Sequence, residues 1–536
     1  MASSVLDVSS ENDVSSENRV DAPSARPARP TIGFVSLGCP KNLVDSEVMM
    51  GLLDRAGGEL TARAEDAEIL VVNTCSFIDS AKQESVNTIL EMVRHKVANG
   101  GKARRLIVAG CLVERYRDEI RKNIPEVDAV VGTGELEAIL EAAGLSAPVE
   151  PAPANSPFNI LVGRVASSVH QHSHPTEAGA QLEAEAAKPS RAEGDLRERQ
   201  GRFSREHWDG ATAALPVYLY SDETPRILTT PRSSAYIKIA EGCDHPCSFC
   251  IIPQLRGKFR SRRLESIVAE AERLVAQGVR EITLIGQDTT CYGEDLGLKD
   301  GLSTLLESLA VLPGLKWLRF LYAYPNKVTT RLLETMARHE NIAKYLDVPL
   351  QHASPSVLKR MKRGGTPEVF LRLIEKARAI VPGIVLRTSF IVGFPGETDE
   401  DFRQLCDFVS AAKIDWLGVF SYSDEEGAAA FEIDSELKVP KRTIAARRRK
   451  LMKLQQKISA KAKAAWVGRE VDVLVEGESD ETELLWQGRT ALQAPEIDGK
   501  VLINDFGPHE TLVPGTFYRA EITESHDYDV VARIIE

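Results

Sequence analysis

Residues 241–250 read Glu-Gly-Cys-Asp-His-Pro-Cys-Ser-Phe-Cys and space three cysteines, Cys243, Cys247 and Cys250, as CxxxCxxC. They follow a short apolar segment, residues 236–240, whose composition is typical of a buried β-strand. Thiolates so close together in one loop are a metal-binding pattern. The stretch therefore predicts a metal or cluster site at the end of a strand.

The identity of the metal stays open on residue chemistry alone. Three cysteines leave a tetrahedral zinc site one ligand short, so zinc needs a distant fourth ligand such as His245 or His352. A cubane 4Fe–4S cluster on three cysteines instead leaves one iron without a protein ligand. Such an iron can bind and reduce a substrate or cofactor.

The residues that surround this loop alternate between apolar strand-like runs and amphipathic helical runs. The predicted strands are residues 236–240, 281–285, 317–323, 344–348, 385–392 and 417–421. Six strand–helix units make up three quarters of a (β/α)8 barrel, and the chemistry of such barrels lies at the carboxyl ends of the strands. The sequence predicts a partial (β/α)6 barrel with the cysteine loop at that end.

A second group of cysteines is spread through residues 31–145. Three short apolar runs end in Cys39, Cys75 and Cys111, at intervals of 36 residues, with helical patterns between them. This alternation predicts an α/β domain with a parallel sheet. Because parallel strands end at the same sheet edge, we expect the three thiols to meet there. The alternative is three separate buried thiols.

The remaining segments complete the predicted domain organisation. Residues 1–30 are polar and are expected to form a disordered tail, and residues 146–228 a partly disordered linker or insertion. The barrel domain is predicted over 229–465 and ends in a basic connector helix, which we interpret as a solvated connector rather than a nucleic-acid arm. Residues 466–536 alternate as short strands do and predict a small antiparallel β-barrel.

Charge and hydropathy limit the class of protein. The 536 residues carry a net charge of −12, and residues 467–536 hold 16 acidic and 5 basic side chains, which is nearly the whole excess. No apolar run reaches the 18 or so residues of a membrane helix, and the N-terminus has no secretory signal pattern. We expect a cytoplasmic protein without a membrane partner.

The CxxxCxxC loop after the first strand of a partial barrel resembles the radical S-adenosylmethionine superfamily. In that superfamily the open iron binds S-adenosylmethionine, which is cleaved to a 5′-deoxyadenosyl radical. The resemblance implies that the cofactor is held by Gly286, Gln287 and Asp288 after the second strand. It also implies contacts from Arg387 and Glu397, although the chain lacks the superfamily's usual GGE sequence.

The whole arrangement resembles the methylthiotransferases of this superfamily, whose C-terminal β-barrel is a TRAM domain. The resemblance implies two 4Fe–4S clusters and two molecules of S-adenosylmethionine, one the methyl donor and one the radical source. It also implies an electron donor and a sulfur source as partners. The implied cluster ligands are Cys39, Cys75, Cys111, Cys243, Cys247 and Cys250.

The family has two branches that matter here. One, MiaB-like, modifies an adenosine of transfer RNA, and the other modifies the β-carbon of an aspartate in small-subunit ribosomal protein S-twelve. Five stretches resemble the protein-modifying branch: residues 36–47, 73–77, 110–115, 241–253 and 345–352. The acidic C-terminal segment favours a basic protein over RNA as partner, unless it serves only solubility. A non-catalytic, metal-stabilised RNA-binding protein is the third interpretation.

Overall fold

The computed structural model describes residues 29–146 and 216–536, apart from 480, 481 and 483. The predicted tail therefore lies almost wholly outside the described residues, and so does most of the predicted 146–228 insertion. Within the described residues, no helix combines the length and the apolar composition that crossing a bilayer requires.

The N-terminal domain is a five-stranded parallel sheet. Its strands are β1 (Thr31–Ser36), β2 (Glu59–Thr61), β3 (Ile69–Thr74), β4 (Arg105–Gly110) and β5 (Ala129–Val131). They lie in the order β2-β1-β3-β4-β5, and all four pairings are parallel. β3 is buried along its whole length because helices cover both faces of the sheet. The helices are Pro40–Arg55, Asp79–Val93, Cys111–Asn123 and Ile139–Ala143.

The second domain is the predicted partial barrel. Its six main strands are β6 (Ser234–Lys238), β9 (Glu281–Ile285), β10 (Trp317–Phe320), β11 (Tyr345–Asp347), β12 (Val385–Val392) and β13 (Trp416–Ser421). They form two parallel sheets, β6-β9-β10 and β11-β12-β13, which a bridge between Leu318 and Ile342 connects. The short antiparallel pair β7 (Ala240–Glu241) and β8 (Arg260–Ser261) flanks the cysteine loop.

Helices cover the outside of this barrel. They are Ile252–Arg256, Leu264–Ala276, Gly301–Ala310, Thr330–Arg338, Pro355–Arg360, Pro367–Ile380 and Asp399–Ala412. Side chains alternate along the strands, as they do on every pleated strand. On β12, Leu386 and Phe390 pack in the large apolar core with the helices, whereas Arg387 lies on the opposite, inner face and pairs with Asp347.

The C-terminal domain is a closed five-stranded barrel. Its strands are β14 (Glu470–Glu478), β15 (Trp486–Arg489), β16 (Val501–Asp505), β17 (Phe517–Ser525) and β18 (Val530–Ile534). Four of its five pairings are antiparallel, and β16 pairs with β18 in parallel. The 24-residue helix Lys441–Ala464 connects it to the partial barrel.

Buried polar contacts join the three domains. In the N-terminal domain, Arg115 Nη1 lies 2.7 Å from Glu425 Oε2 of the partial barrel, and both side chains are buried. In the C-terminal domain, Asp498 Oδ2 accepts a 2.6 Å hydrogen bond from the Tyr345 hydroxyl of β11. Arg489 pairs with the buried Glu281 of β9. The last two contacts lie at the first residues of β11 and β9, so the small barrel covers the amino-terminal end of the partial barrel.

Candidate functional site

Cys39, Cys75 and Cys111 follow three neighbouring strands, β1, β3 and β4, and lie at the same edge of the N-terminal sheet. Gly38 lets the first approach the second, since a Cβ at Gly38 would lie 2.7 Å from Cys75 Cβ and 3.1 Å from its Sγ. Gly38 also has a φ of +94°, which only glycine adopts readily. The backbone therefore leaves room for the thiols to face one another.

The three thiols share one electrostatic environment. The pKa of Cys111 is raised to about 12, chiefly by burial and in part by the neighbouring thiols Cys75 and Cys39, against the opposing charge of Arg256. Burial also raises the pKa of Cys75. Burial would do the same to Cys39, but Lys41 and Arg256 outweigh it, so that its pKa lies below the usual value. The group therefore combines buried thiols with two cations that favour thiolates.

Cys243, Cys247 and Cys250 lie in the loop that follows β7. The pKa of Cys243 is raised to about 11 and that of Cys250 to about 12, chiefly by burial and in part by the neighbouring thiolate of Cys247. Arg363 Nη1 donates to Cys247 Sγ at 3.5 Å. Ser248 anchors the loop, because its hydroxyl and its amide donate to the carbonyls of residues 360 and 361.

The helix Ile252–Arg256 connects the two cysteine groups. It begins two residues after Cys250, and its Leu255 packs against Cys111 of the other group. At its end, Arg256 Nη1 donates to Asp45 Oδ2 at 2.6 Å and to Glu241 Oε2 at 3.4 Å. Arg256 is 2% exposed. A short segment of the partial barrel therefore touches both groups of thiols.

A buried ion network surrounds Arg256. Lys238 also pairs with both Asp45 and Glu241, so Asp45 of the N-terminal domain meets two cations and a carboxylate of the partial barrel. Burial would raise the pKa of Glu241, but Lys238 and Arg256 lower it to about 2. The network is charged at neutral pH and holds the N-terminal helix Pro40–Arg55 against the barrel.

The residues predicted after the second strand lie beside the cysteine loop. Gln287 Nε2 donates to Glu241 Oε1 at 2.7 Å, and its Oε1 is buried without a hydrogen-bond partner among the described residues. Asp288 is buried and accepts from His245 Nε2 at 2.6 Å, which fixes the loop against β9. Gly286 lies against Ala240, since a Cβ at Gly286 would be in ordinary van der Waals contact with the Ala240 carbonyl oxygen, at 3.5 Å.

The other two predicted residues lie elsewhere. Arg387 Nη1 donates to Asp347 Oδ1 at 2.8 Å, and its Nε lies 3.6 Å from Asp498 of the C-terminal domain. Glu397 is buried beneath the carboxyl end of β12, where it accepts from the amides of Gly393 and Phe394. The structure thus groups residues 286–288 with the cysteine loop, and Arg387 and Glu397 in separate ion-pair networks.

The donor sets fit an iron–sulfur cluster better than a single zinc ion. Zinc–sulfur distances of about 2.3 Å place tetrahedral ligands within about 4 Å of one another. Within the described residues, the one trio of metal-binding atoms that all lie within 4.8 Å is His245, Asp288 and Cys291, and it contains none of the six cysteines in question. A cubane cluster spreads its thiolates over several iron atoms and needs a wider spacing. The other zinc ligand considered, His352, is fully buried 3.8 Å from Glu397.

Arg256 and its partners were not singled out from the sequence. Arg256 and Asp45 are 211 residues apart, and no periodicity or motif spacing connects them. The sequence offers one signal for Arg256, which is its position at the end of an apolar run directly after the cysteine loop. Tyr322, whose ring lies 3.5 Å from Lys41 Nζ, was missed for the same reason.

Family models match all three domains. Residues 31–132 match the model described as Uncharacterized protein family UPF0004, residues 237–409 the Radical SAM superfamily, and residues 467–535 the TRAM domain. The chain is 66% identical over 518 residues to the ribosomal protein uS12 methylthiotransferase RimO of Koribacter versatilis, covering 96% of this chain and 98% of that protein. The chain belongs to the RimO family of radical S-adenosylmethionine methylthiotransferases.

Another relative of the same name, from Solibacter usitatus, is 54% identical over 506 residues, which are 94% of each chain. Among solved structures, the radical S-adenosylmethionine methyltransferase TsrM of Kitasatospora setae superposes with a TM-score of 0.46 at 18% identity, over 76% of this chain and 75% of that chain. The prediction of a radical S-adenosylmethionine methylthiotransferase with an α/β fold and a C-terminal TRAM domain is confirmed. The chain is thus an enzyme that uses S-adenosylmethionine and an iron–sulfur cluster.

Proposed function

We propose that this enzyme methylthiolates the β-carbon of an aspartate in uS12, the small-subunit ribosomal protein S-twelve. The observation that carries the proposal is the near full-length identity with relatives named as uS12 methylthiotransferases, 66% to the Koribacter versatilis protein. The two cysteine groups, which meet at one short helix, support a reaction with two iron–sulfur centres.

The six cysteines are proposed to bind two 4Fe–4S clusters, one at each group. Cys243, Cys247 and Cys250 hold the cluster that cleaves S-adenosylmethionine. The clusters and two molecules of S-adenosylmethionine supply, when bound, a radical able to break an unactivated C–H bond and a methyl group for the sulfur. An external electron donor and a sulfur source complete the reactants.

The chain's own residues bind, orient and exclude water. The unpartnered Oε1 of Gln287, next to Gly286 and beside the cysteine loop, makes this edge the proposed place for S-adenosylmethionine, whose amino group can donate to that oxygen. Asp288 holds His245, and thereby the cysteine loop, in position. The roles proposed for Arg387 and Glu397 are to support β11, β12 and the turn after β12, through their ion pairs and hydrogen bonds.

The surface charge supports a basic protein substrate. The C-terminal barrel domain exposes nine acidic side chains among its described residues and only two basic ones, Arg469 and Arg533. A surface that grips transfer RNA through its phosphates is positively charged. Ribosomal proteins are basic, and an acidic face attracts them. The transfer-RNA reaction is therefore the second candidate.

The deciding experiment offers both substrates to the anaerobic, iron-loaded enzyme with S-adenosylmethionine, reductant and sulfide. We expect mass spectrometry of uS12 peptides to detect a methylthio group on one aspartate, and nucleoside analysis of transfer RNA to detect none. Modification of transfer RNA with uS12 unchanged would replace the proposal by the second candidate.

A pair of variants tests the division of labour between the cysteine groups. Cys247→Ala is expected to abolish cleavage of S-adenosylmethionine to 5′-deoxyadenosine. Cys75→Ala is expected to retain cleavage and lose methylthiolation. Iron content and the electron paramagnetic resonance spectrum of each variant show which cluster is missing. Equal loss of cleavage in both variants would contradict the proposal.

A further inference from the structure

The helix Lys441–Ala464 carries ten basic residues and no acidic one, in a chain whose net charge is −12. Eight of the ten are exposed. Arg442, Arg449, Lys453, Lys457 and Lys461 follow one another at intervals of seven, four, four and four residues. These intervals keep them on one side of the helix, over about 28 Å at 1.5 Å per residue.

The exposed cations of this helix are not neutralised by ion pairs with described residues. Among the residues that the structure describes, none of the eight forms an ion pair, although the protein forms many elsewhere. By contrast, the buried Arg447 on the inner side of the same helix pairs with Glu397 and Asp399. The inner side therefore anchors the helix, and the outer side presents a row of unneutralised positive charge.

This charge distribution matches one kind of partner. Like charges held in a row repel one another and destabilise the helix. Carboxylates of the same protein placed beside them would remove this repulsion. A row of lysines and arginines with a regular spacing suits the phosphates of a nucleic-acid backbone, which release counterions on binding. The acidic surface of the C-terminal barrel lies beside this row, so the two charges serve different parts of one target.

We propose that the outer face of the Lys441–Ala464 helix binds ribosomal RNA of the small subunit, so that the enzyme engages uS12 within an RNA-containing particle. The inference rests on the proposed function and names the form of its substrate. The acidic barrel contacts the basic protein, while the helix contacts the phosphate backbone around it. It replaces our interpretation of this helix as a solvated connector.

The test compares two triple variants that change the net charge equally. Lys453→Gln, Lys457→Gln and Lys461→Gln remove three charges from the helix. The control removes three exposed lysines of the partial barrel that form no ion pair with a described residue; they are Lys299, Lys316 and Lys376. Binding to purified small subunits and to protein-free small-subunit RNA is measured across a salt series, and binding and methylthiolation of free uS12 are measured in parallel.

The helix variant is expected to bind small subunits about tenfold more weakly at low salt. The slope of the logarithm of its association constant against the logarithm of salt concentration should be shallower by about 2–3. Each of the three lost phosphate contacts reduces that slope by about 0.7–0.9. It should bind and modify free uS12 as well as the wild type does, because removing positive charge cannot weaken attraction to a basic protein. The control should match the wild type throughout.

Three results would overturn the inference: equal weakening by both triple variants, no weakening by the helix variant, or binding of subunits without binding of the protein-free RNA. The last would identify a protein surface as the partner. Failure of the wild type to modify uS12 in either form would instead refute the proposed function. Binding is read directly, so the two failures are distinguishable.

Discussion

Replacing Arg256 by methionine removes a buried cation that lies near the N-terminal cysteine group and pairs with both Asp45 and Glu241. Asp45 and Glu241 would then share a single cation, Lys238, in a site where all of these side chains are buried. Breaking a buried pair by removing one partner costs about 3–5 kcal/mol, because the remaining charge stays desolvated. We expect the free energy of unfolding to fall by that amount.

The same change should act on the N-terminal cysteine group. Arg256 favours the thiolate form of Cys39, Cys75 and Cys111, so its loss should weaken retention of iron there. The cysteine loop that ends at Cys250 keeps its own contacts. We therefore expect the variant to lose iron from the N-terminal cysteine group only. When assayed in the absence of uS12, it should still cleave S-adenosylmethionine.

The assay is anaerobic thermal unfolding together with iron analysis and electron paramagnetic resonance. Arg260→Met is the matched control, since Arg260 donates to four backbone carbonyls nearby and pairs with no described carboxylate. Arg256→Lys keeps the charge but not the fork geometry, and should lie between the wild type and Arg256→Met. If Arg256→Met unfolds and holds iron like the Arg260→Met control, the reasoning about the buried network is wrong.

Three further changes follow from local geometry. Gly38→Ala, whose Cβ would lie 2.7 Å from the neighbouring cysteine's Cβ, should reduce iron per chain toward half, measured by iron analysis, while the overall circular dichroism is unchanged. Burial lowers the pKa of Lys463 to about 8, below its value of about 10.4 in an unfolded chain, so wild-type stability should rise as pH increases between these values. Lys463→Met should be more stable at pH 7 by about 1–3 kcal/mol and should lack that rise in urea unfolding; a less stable variant would contradict this. Arg115→Met should cost about 3–5 kcal/mol in the same assay by leaving Glu425 short of a buried cation, whereas Arg117→Met, in an exposed pair, should cost under about 1 kcal/mol.

Much of the architecture was predictable from apolar periodicity. The runs at residues 281–285 and 385–392 coincide with β9 and β12, because buried parallel strands have a continuous apolar composition. The run at 317–323 is a strand only to Phe320, since Tyr322 adopts a φ of +65° and turns the chain. β2 and β5 escaped prediction because each has three residues, too few for a pattern.

The cysteines of the site were predictable because their spacing repeats, either within one loop or once per strand. The contacts that hold the two groups in register were not. Asp45 and Arg256 meet through the packing of one domain on another, and an ion pair across 211 residues leaves no mark in composition. The same holds for Asp498, which reaches Tyr345 from a loop of the C-terminal barrel.

The two cysteine groups differ in how much of the chain must fold before each can hold a cluster. Cys243 to Cys250 is a single loop of eight residues, whereas Cys39 and Cys111 are 72 residues apart and meet only when β1, β3 and β4 have paired. Closing a long loop costs more conformational entropy and is therefore slower. The three thiols of the sheet edge, in addition, meet only once the sheet has formed. Iron–sulfur insertion should therefore be ordered in time, with the loop competent early and the sheet edge last. A chain whose N-terminal sheet is destabilised should accumulate as a half-loaded protein.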